Sequence, residues 1–100
     1  MTKRMRPDAR RDQLLNAALD EAEEVGYNFV RRDDVGQRVG VTGQLVMRYF
    51  GTMTQLRRDI VRAAIRQRRL PIIAEALAAR SSLVADIPDD LRAEALASLS

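Results

Sequence analysis

An all-α fold is predicted by three observations. Alanine, leucine and arginine dominate, while glycine occurs only 5 times and proline 3 times in 100 residues. No stretch alternates polar and apolar residues for long, as a half-buried strand would. Apolar residues instead recur at steps of three and four, the spacing that places them on one face of a helix. Aromatic residues make up 4% of the chain, so the core must come mainly from aliphatic side chains. One hundred residues form one domain at most, with a thin core for a lone monomer.

The elements follow in order. Residues 1–6 read as a basic arm, with two readings: a plain flexible terminus, or an arm that enters the DNA minor groove. Pro7 suits the first turn of a helix, and Asp8 complements its positive end. Leu14, Leu15, Ala18, Leu19, Ala22 and Val25 give that first helix one apolar face, and Gly26 is expected to end it as a left-handed cap. Tyr27 and Phe29 are expected to plug the core. A short helix follows from Arg32 to Val39, with Asp33 and Asp34 in its first turn, and Gly40 closes it. Another short helix runs from about Thr42 to Phe50, with Thr42 as N-cap. Gly51 breaks the chain, and Thr52 or Thr54 caps the next helix. That fourth helix turns Leu56, Ile60, Val61, Ala64 and Ile65 inward and most of its arginines outward. Pro71 interrupts or kinks it. Ile72, Ile73, Ala76 and Leu77 form a fifth helix, a pattern that extends to Leu83 and Val84. Pro88 and Asp89 open a last short helix through Leu91, Leu96 and Leu99.

The pair of short helices around Gly40 reads as a helix-turn-helix, which places its second helix in the DNA major groove. Val35 and Val39 face Val46 and Phe50, and Val41 plugs the turn. The outward face is expected to hold Gly43, Gln44, Met47 and Arg48. Gln can pair with adenine in a bidentate way, and Arg reaches guanine or a phosphate. Glycine would let the backbone approach closely. Thr42 can bond a phosphate while capping its helix. Tyr49 has two readings, a phosphate contact through its hydroxyl or a core residue with a wet tip. The carboxylates Glu21, Glu23 and Glu24 are expected to be solvated helix surface.

Charge is uneven. Residues 1–70 hold 15 Lys+Arg against 9 Asp+Glu, and residues 71–100 hold 2 against 5. A basic front with an acidic tail suits a polyanionic partner. Cysteine and histidine are both absent, which removes thiolate and imidazole metal ligands and histidine acid–base catalysis. No nucleophile–base or metal constellation remains, so neither an enzyme, a catalytic residue, a metal site nor a cofactor is expected. No apolar run reaches the ~18 residues of a membrane span, and the charged N-terminus lacks the apolar stretch of a secretory signal. A cytoplasmic protein is expected.

Beyond the motif itself, the stretch from Arg11 to Ile65 resembles the DNA-binding domain of the TetR family of bacterial repressors. The resemblance rests on "LLNAALDEAEEVGY", "DDVGQRVGVT" and "YFGTMTQLRRDIV". It implies a TetR-like three-helix DNA-binding domain over residues 7–70, followed by two or three short helices in a tail, residues 71–100. Several positions depart from the family pattern. Arg31 and Arg32 stand where the family usually has threonine, and are expected to contact phosphates by charge. Gln44 stands in place of a frequent glycine, Met47 in place of tyrosine, and Met53 in place of the lysine after the Tyr-Phe pair. About 35 residues follow the resembling stretch, too few to wall off a cavity of ~300 Å³, so no small-molecule inducer is expected. The apolar tail is read as a dimerisation segment, because Ile72, Ile73, Leu77, Leu83, Val84, Leu91, Leu96 and Leu99 are too many to leave in water and too few for a second core. The resulting expectation is a homodimeric transcriptional repressor that occludes a palindromic double-stranded DNA operator. The rival reading is a helical protein-interaction module with little specific DNA binding.

Overall fold

A computed structural model of the chain describes residues 6–99. The N-terminal arm, apart from Arg6, lies outside the described residues. Among those described there are six α-helices and no strand: α1 (Pro7–Val25), α2 (Arg32–Val39), α3 (Gly43–Phe50), α4 (Met53–Gln67), α5 (Leu70–Ala78) and α6 (Asp89–Ala97). Short 3-10 turns, Tyr27–Phe29 and Ser82–Asp86, join α1 to α2 and α5 to α6.

Local chemistry sets most boundaries. Pro7 opens α1 with Asp8 in its first turn. Thr42 caps α3, its hydroxyl accepting from the Leu45 amide at 3.2 Å, and Thr52 caps α4 by accepting from the Gln55 amide at 3.1 Å. Each cap satisfies one of the amides a helix start leaves unpaired. Gly40 ends α2 at φ 75°, ψ 31°, the left-handed conformation that costs a glycine nothing and other residues about 1–2 kcal/mol. Gly26 behaves otherwise than expected. Its φ of 94° and ψ of 139° lie outside the left-handed helical region, so α1 ends on a positive-φ glycine that leads straight into the 3-10 turn Tyr27–Phe29.

The core runs through the whole chain. Leu14 and Leu19 of α1, Val30, Val35 of α2, Val46 of α3, and Leu56 and Ile60 of α4 are all fully buried. So are Ile72 and Ile73 of α5, and Leu91 of α6 is nearly so. The helix-turn-helix pair α2 and α3 pack on each other, α1 packs on α2 and α4, and α5 bridges α4 to α6. The tail therefore folds back on the front helices and joins one core. The tail's apolar residues, expected to supply a dimer interface, are thus largely taken up within the chain. Ile72, Ile73, Leu83 and Leu91 are buried within the chain, Leu77 and Val84 are half-buried against the core, and Leu96 and Leu99 stay exposed. The reason is reach: α4 ends at Gln67, Arg68 adopts a left-handed φ of 55°, and α5 restarts at Leu70 with Pro71 in its first turn. The chain thus reverses at Arg68–Arg69 instead of kinking at Pro71. Leu83 and Val84 belong to the 3-10 turn, not to α5.

Two apolar assignments are also corrected. Tyr27 is buried, but Phe29 is 71% exposed, because residues two apart in a 3-10 turn point about 120° away from each other. Val25, at the last position of α1, is exposed as well.

Candidate nucleic-acid interface

The corner between α2 and α3 is held by close backbone packing. Gly36 sits mid-helix in α2, buried, and a Cβ there would run into the Val41 carbonyl oxygen and lie 3.1 Å from the Thr42 carbonyl. Its own carbonyl accepts from the Val41 amide at 2.9 Å. Only a glycine lets the turn lie this close against α2. Sequence reasoning passed over it, although a glycine inside an eight-residue helix is itself a signal of close approach.

The start of α3 adjoins the start of α2. A Cβ on Gly43 would meet the Asp33 carboxylate and lie 2.8 Å from Arg32 Cγ. This corrects one expected site residue: Gly43 is buried beneath those two side chains and does not face outward. It also brings Arg31 and Arg32, both exposed at the start of α2, to the same end of the molecule as Thr42 and Gln44. Arg32 is only loosely engaged, 4.0 Å from Asp33 with both side chains in solvent, a pairing worth little.

Along α3 the remaining residues divide by face. Gln44 and Arg48, four apart, are exposed together, and Thr42 lies exposed beside them. Arg48 has no ion pair among the described residues. Val46 and Phe50 are buried, while Met47 and Tyr49 are half-buried and pack against the core. Tyr49 thus sits at the edge of the core with part of its surface wet, as the second of its two readings has it. Thr42, Gln44 and Arg48 line an open groove of about 400 Å³ together with Val41 and Leu45. Leu45 was absent from the expected set; its place one residue from Gln44 was the available signal. Apolar contact of this kind suits the thymine methyl group.

Charged ties buttress α3 from behind. The Arg11 guanidinium of α1 lies 4.9 Å from the Phe50 ring centroid, a cation–π distance, and pairs with Asp59 of α4 at 3.0 Å. Asp59 also accepts from the Gln55 amide group at 3.1 Å. Arg11, Phe50 and Asp59 thus link α1, α3 and α4. On the other side, Arg38 of α2 donates to Glu21 of α1 at 2.8 Å and also pairs with Glu24. The hydrogen bond to Glu21 is the main cause holding the Arg38 guanidinium above its ordinary pKa, against the opposing effect of desolvation. Glu21 is therefore a buried anchor of α2 and not solvated surface, a correction that its neighbours Glu23 and Glu24, both exposed, do not need. No local pattern announces these pairs, since Arg38 and Glu21 are separated by 17 residues and Arg11 and Asp59 by 48.

An exposed Gln and Arg on one face of a short helix, a capping threonine, and two arginines beside its start form a surface suited to a duplex. Residues 14–60 match the family model described as bacterial regulatory proteins, tetR family. The chain carries the TetR-family helix-turn-helix domain. The match takes in α1 from Leu14, the whole of α2 and α3, and α4 as far as Ile60. The family is one of DNA-binding transcription regulators, and the TetR region coincides with the helices that carry the face just described. Neither a curated protein nor a solved structure matches the chain. Among the described residues no group of three or more carboxylates is arranged to hold a metal ion. Nor, among those residues, is any helix long and apolar enough to cross a membrane.

Proposed function

We propose that the protein is a sequence-specific repressor that binds as a dimer to a palindromic operator and occludes it. The single observation that carries this reading is the shared exposure of Gln44 and Arg48 on α3, beside Thr42 and the Arg31–Arg32 pair, in a helix-turn-helix of the TetR family. Gln44 and Arg48 would read base edges, Leu45 would contact a thymine methyl, and Thr42, Arg31 and Arg32 would hold phosphates. Met47 and Tyr49 would border that contact with their exposed parts, while Gly43 sets the spacing of α2 and α3. One reading helix spans only a few base pairs, so discrimination against a genome calls for two half-sites and two chains. The exposed pair Leu96 and Leu99 at the end of the tail is the patch favoured for the second copy, in place of the broader apolar set expected from the sequence. The partner is double-stranded DNA in the cytoplasm, with no enzymatic step.

Duplex binding measured against salt tests the reading. Several phosphate contacts should make log affinity fall steeply with log salt, by about 0.9 per contact. A salt-independent or absent duplex affinity, together with tight capture of a protein partner, would favour the interaction-module reading instead.

A further inference from the structure

A second concave site lies away from the reading face. It is a groove of about 220 Å³ between α4 and the 3-10 turn Ser82–Asp86, floored by Tyr27, Val61 and Leu83 and rimmed by Thr54, Arg57, Arg58 and Ser82. Its lining contains two arginines and no carboxylate. Neither Arg57 nor Arg58 has an ion pair among the described residues, unlike Arg11, Arg38, Arg62, Arg68 and Arg69, each of which pairs with an acid. The Arg57 Nε, like that of Arg92 outside the groove, is buried and has no hydrogen-bond partner among the described residues. A buried guanidinium N–H without an acceptor is an uncommon arrangement that a bound acceptor would resolve. Three hydroxyls, from Thr54, Ser81 and Ser82, and the Asn28 amide complete the donor set. The Ser81 oxygen already accepts from the Leu83 amide at 3.3 Å, so its own proton is free to be donated outward.

We propose that this groove binds a compact phosphomonoester. Two guanidinium groups and three hydroxyls match a group with three acceptor oxygens better than a two-oxygen carboxylate. Tyr27, Val61 and Leu83 would receive a short carbon skeleton. The groove is smaller than the ~300 Å³ of sites for drug-sized ligands, so the ligand is small. The site is an open groove that lies where the tail returns to the start of α4. It does not depend on the DNA-binding proposal.

The test is a titration of the full chain with glycerol 3-phosphate, followed by backbone amide NMR, with acetate at matched ionic strength as the control. The expected result is saturable shifts at Asn28, Arg57, Arg58 and Ser81–Leu83, with at least ten-fold weaker binding of acetate. Arg57→Gln should lower the affinity at least ten-fold. Ser82→Ala, at an exposed position, should lower it several-fold with an unchanged melting temperature, which keeps the test intact if Arg57→Gln disturbs folding. Shifts confined to Thr42–Arg48, or equal binding of acetate, would overturn the proposal. So would wild-type affinity in Ser82→Ala and any folded Arg57→Gln. A duplex that shifts the same groove amides and is displaced by glycerol 3-phosphate would also overturn it, by assigning the groove to a DNA backbone phosphate.

Discussion

Gly36→Ala perturbs the corner of the helix-turn-helix at a single atom. The added Cβ would collide with the Val41 carbonyl oxygen and sit 3.1 Å from the Thr42 carbonyl. Both obstacles are backbone, so no side-chain rotation relieves them, and the turn must move off α2. Alanine would gain ~1 kcal/mol of helix propensity over glycine in a helix interior. Overpacking of a rigid contact costs ~1–3 kcal/mol, and straining the 2.9 Å bond from the Val41 amide to the Gly36 carbonyl costs about 1 more. With immovable neighbours the overpacking term should fall at its upper end, leaving a net loss of about 2–3 kcal/mol. In a chain of this size that lowers the melting temperature by roughly 8 °C or more, measured by circular dichroism at 222 nm. Gly43→Ala is the comparison. Its obstacles are the Arg32 and Asp33 side chains, which can swing aside into solvent, so the loss should stay below about 1 kcal/mol. A Gly36→Ala protein as stable as the parent, or a Gly43→Ala protein that suffers more, would refute the reasoning.

The remaining predictions concern binding and assembly. Gln44→Ala and Arg48→Ala should each weaken specific duplex binding by ~1–3 kcal/mol with melting temperatures unchanged; unaltered affinity in both would move the reading face elsewhere. Arg31→Ala combined with Arg32→Ala should weaken all duplexes alike and flatten the salt slope by up to ~2 units, whereas a loss limited to one sequence would mean that they read bases. Leu96→Glu combined with Leu99→Glu should leave the chain folded, since both side chains are exposed, and should turn a dimer into a monomer by sedimentation. Continued dimerisation would place the interface away from the end of α6.

Much of the fold was legible because its signals are local. Pro7, Thr42, Gly40 and Thr52 each act on their own helix end, and the spacing of the apolar residues alone marks the inner faces of α1 and α4. The errors arose where the outcome depends on distant chain. Phe29 and Tyr27 carry equal hydrophobic appeal, and only the 3-10 turn decides which one enters the core. Glu21 looks like its neighbours Glu23 and Glu24 until Arg38 arrives from α2. The tail's leucines and isoleucines show that burial is needed but not which surface supplies it; the reversal at Arg68 and Arg69 turned Ile72 and Ile73 onto the front helices. At the candidate site, helical spacing correctly paired Gln44 with Arg48 on one exposed face. It missed the covering of Gly43, because that depends on how α2 crosses α3. The Arg69 clamp, 2.9 Å from Asp20 and 3.4 Å from Glu23, was equally hidden among arginines that otherwise read as a solvated stripe.

Selection of bound sequences from a random duplex library by the full-length protein tests the central claim most directly, because it asks at once whether α3 reads DNA and whether two copies read together. The account predicts enrichment of an inverted repeat whose half-sites are centred about one helical turn, ~34–36 Å, or a multiple of it apart. It further predicts that the enrichment is lost when Gln44 and Arg48 are both replaced by alanine. A library that returns no enriched motif, or one that the doubly substituted protein enriches equally well, would contradict it.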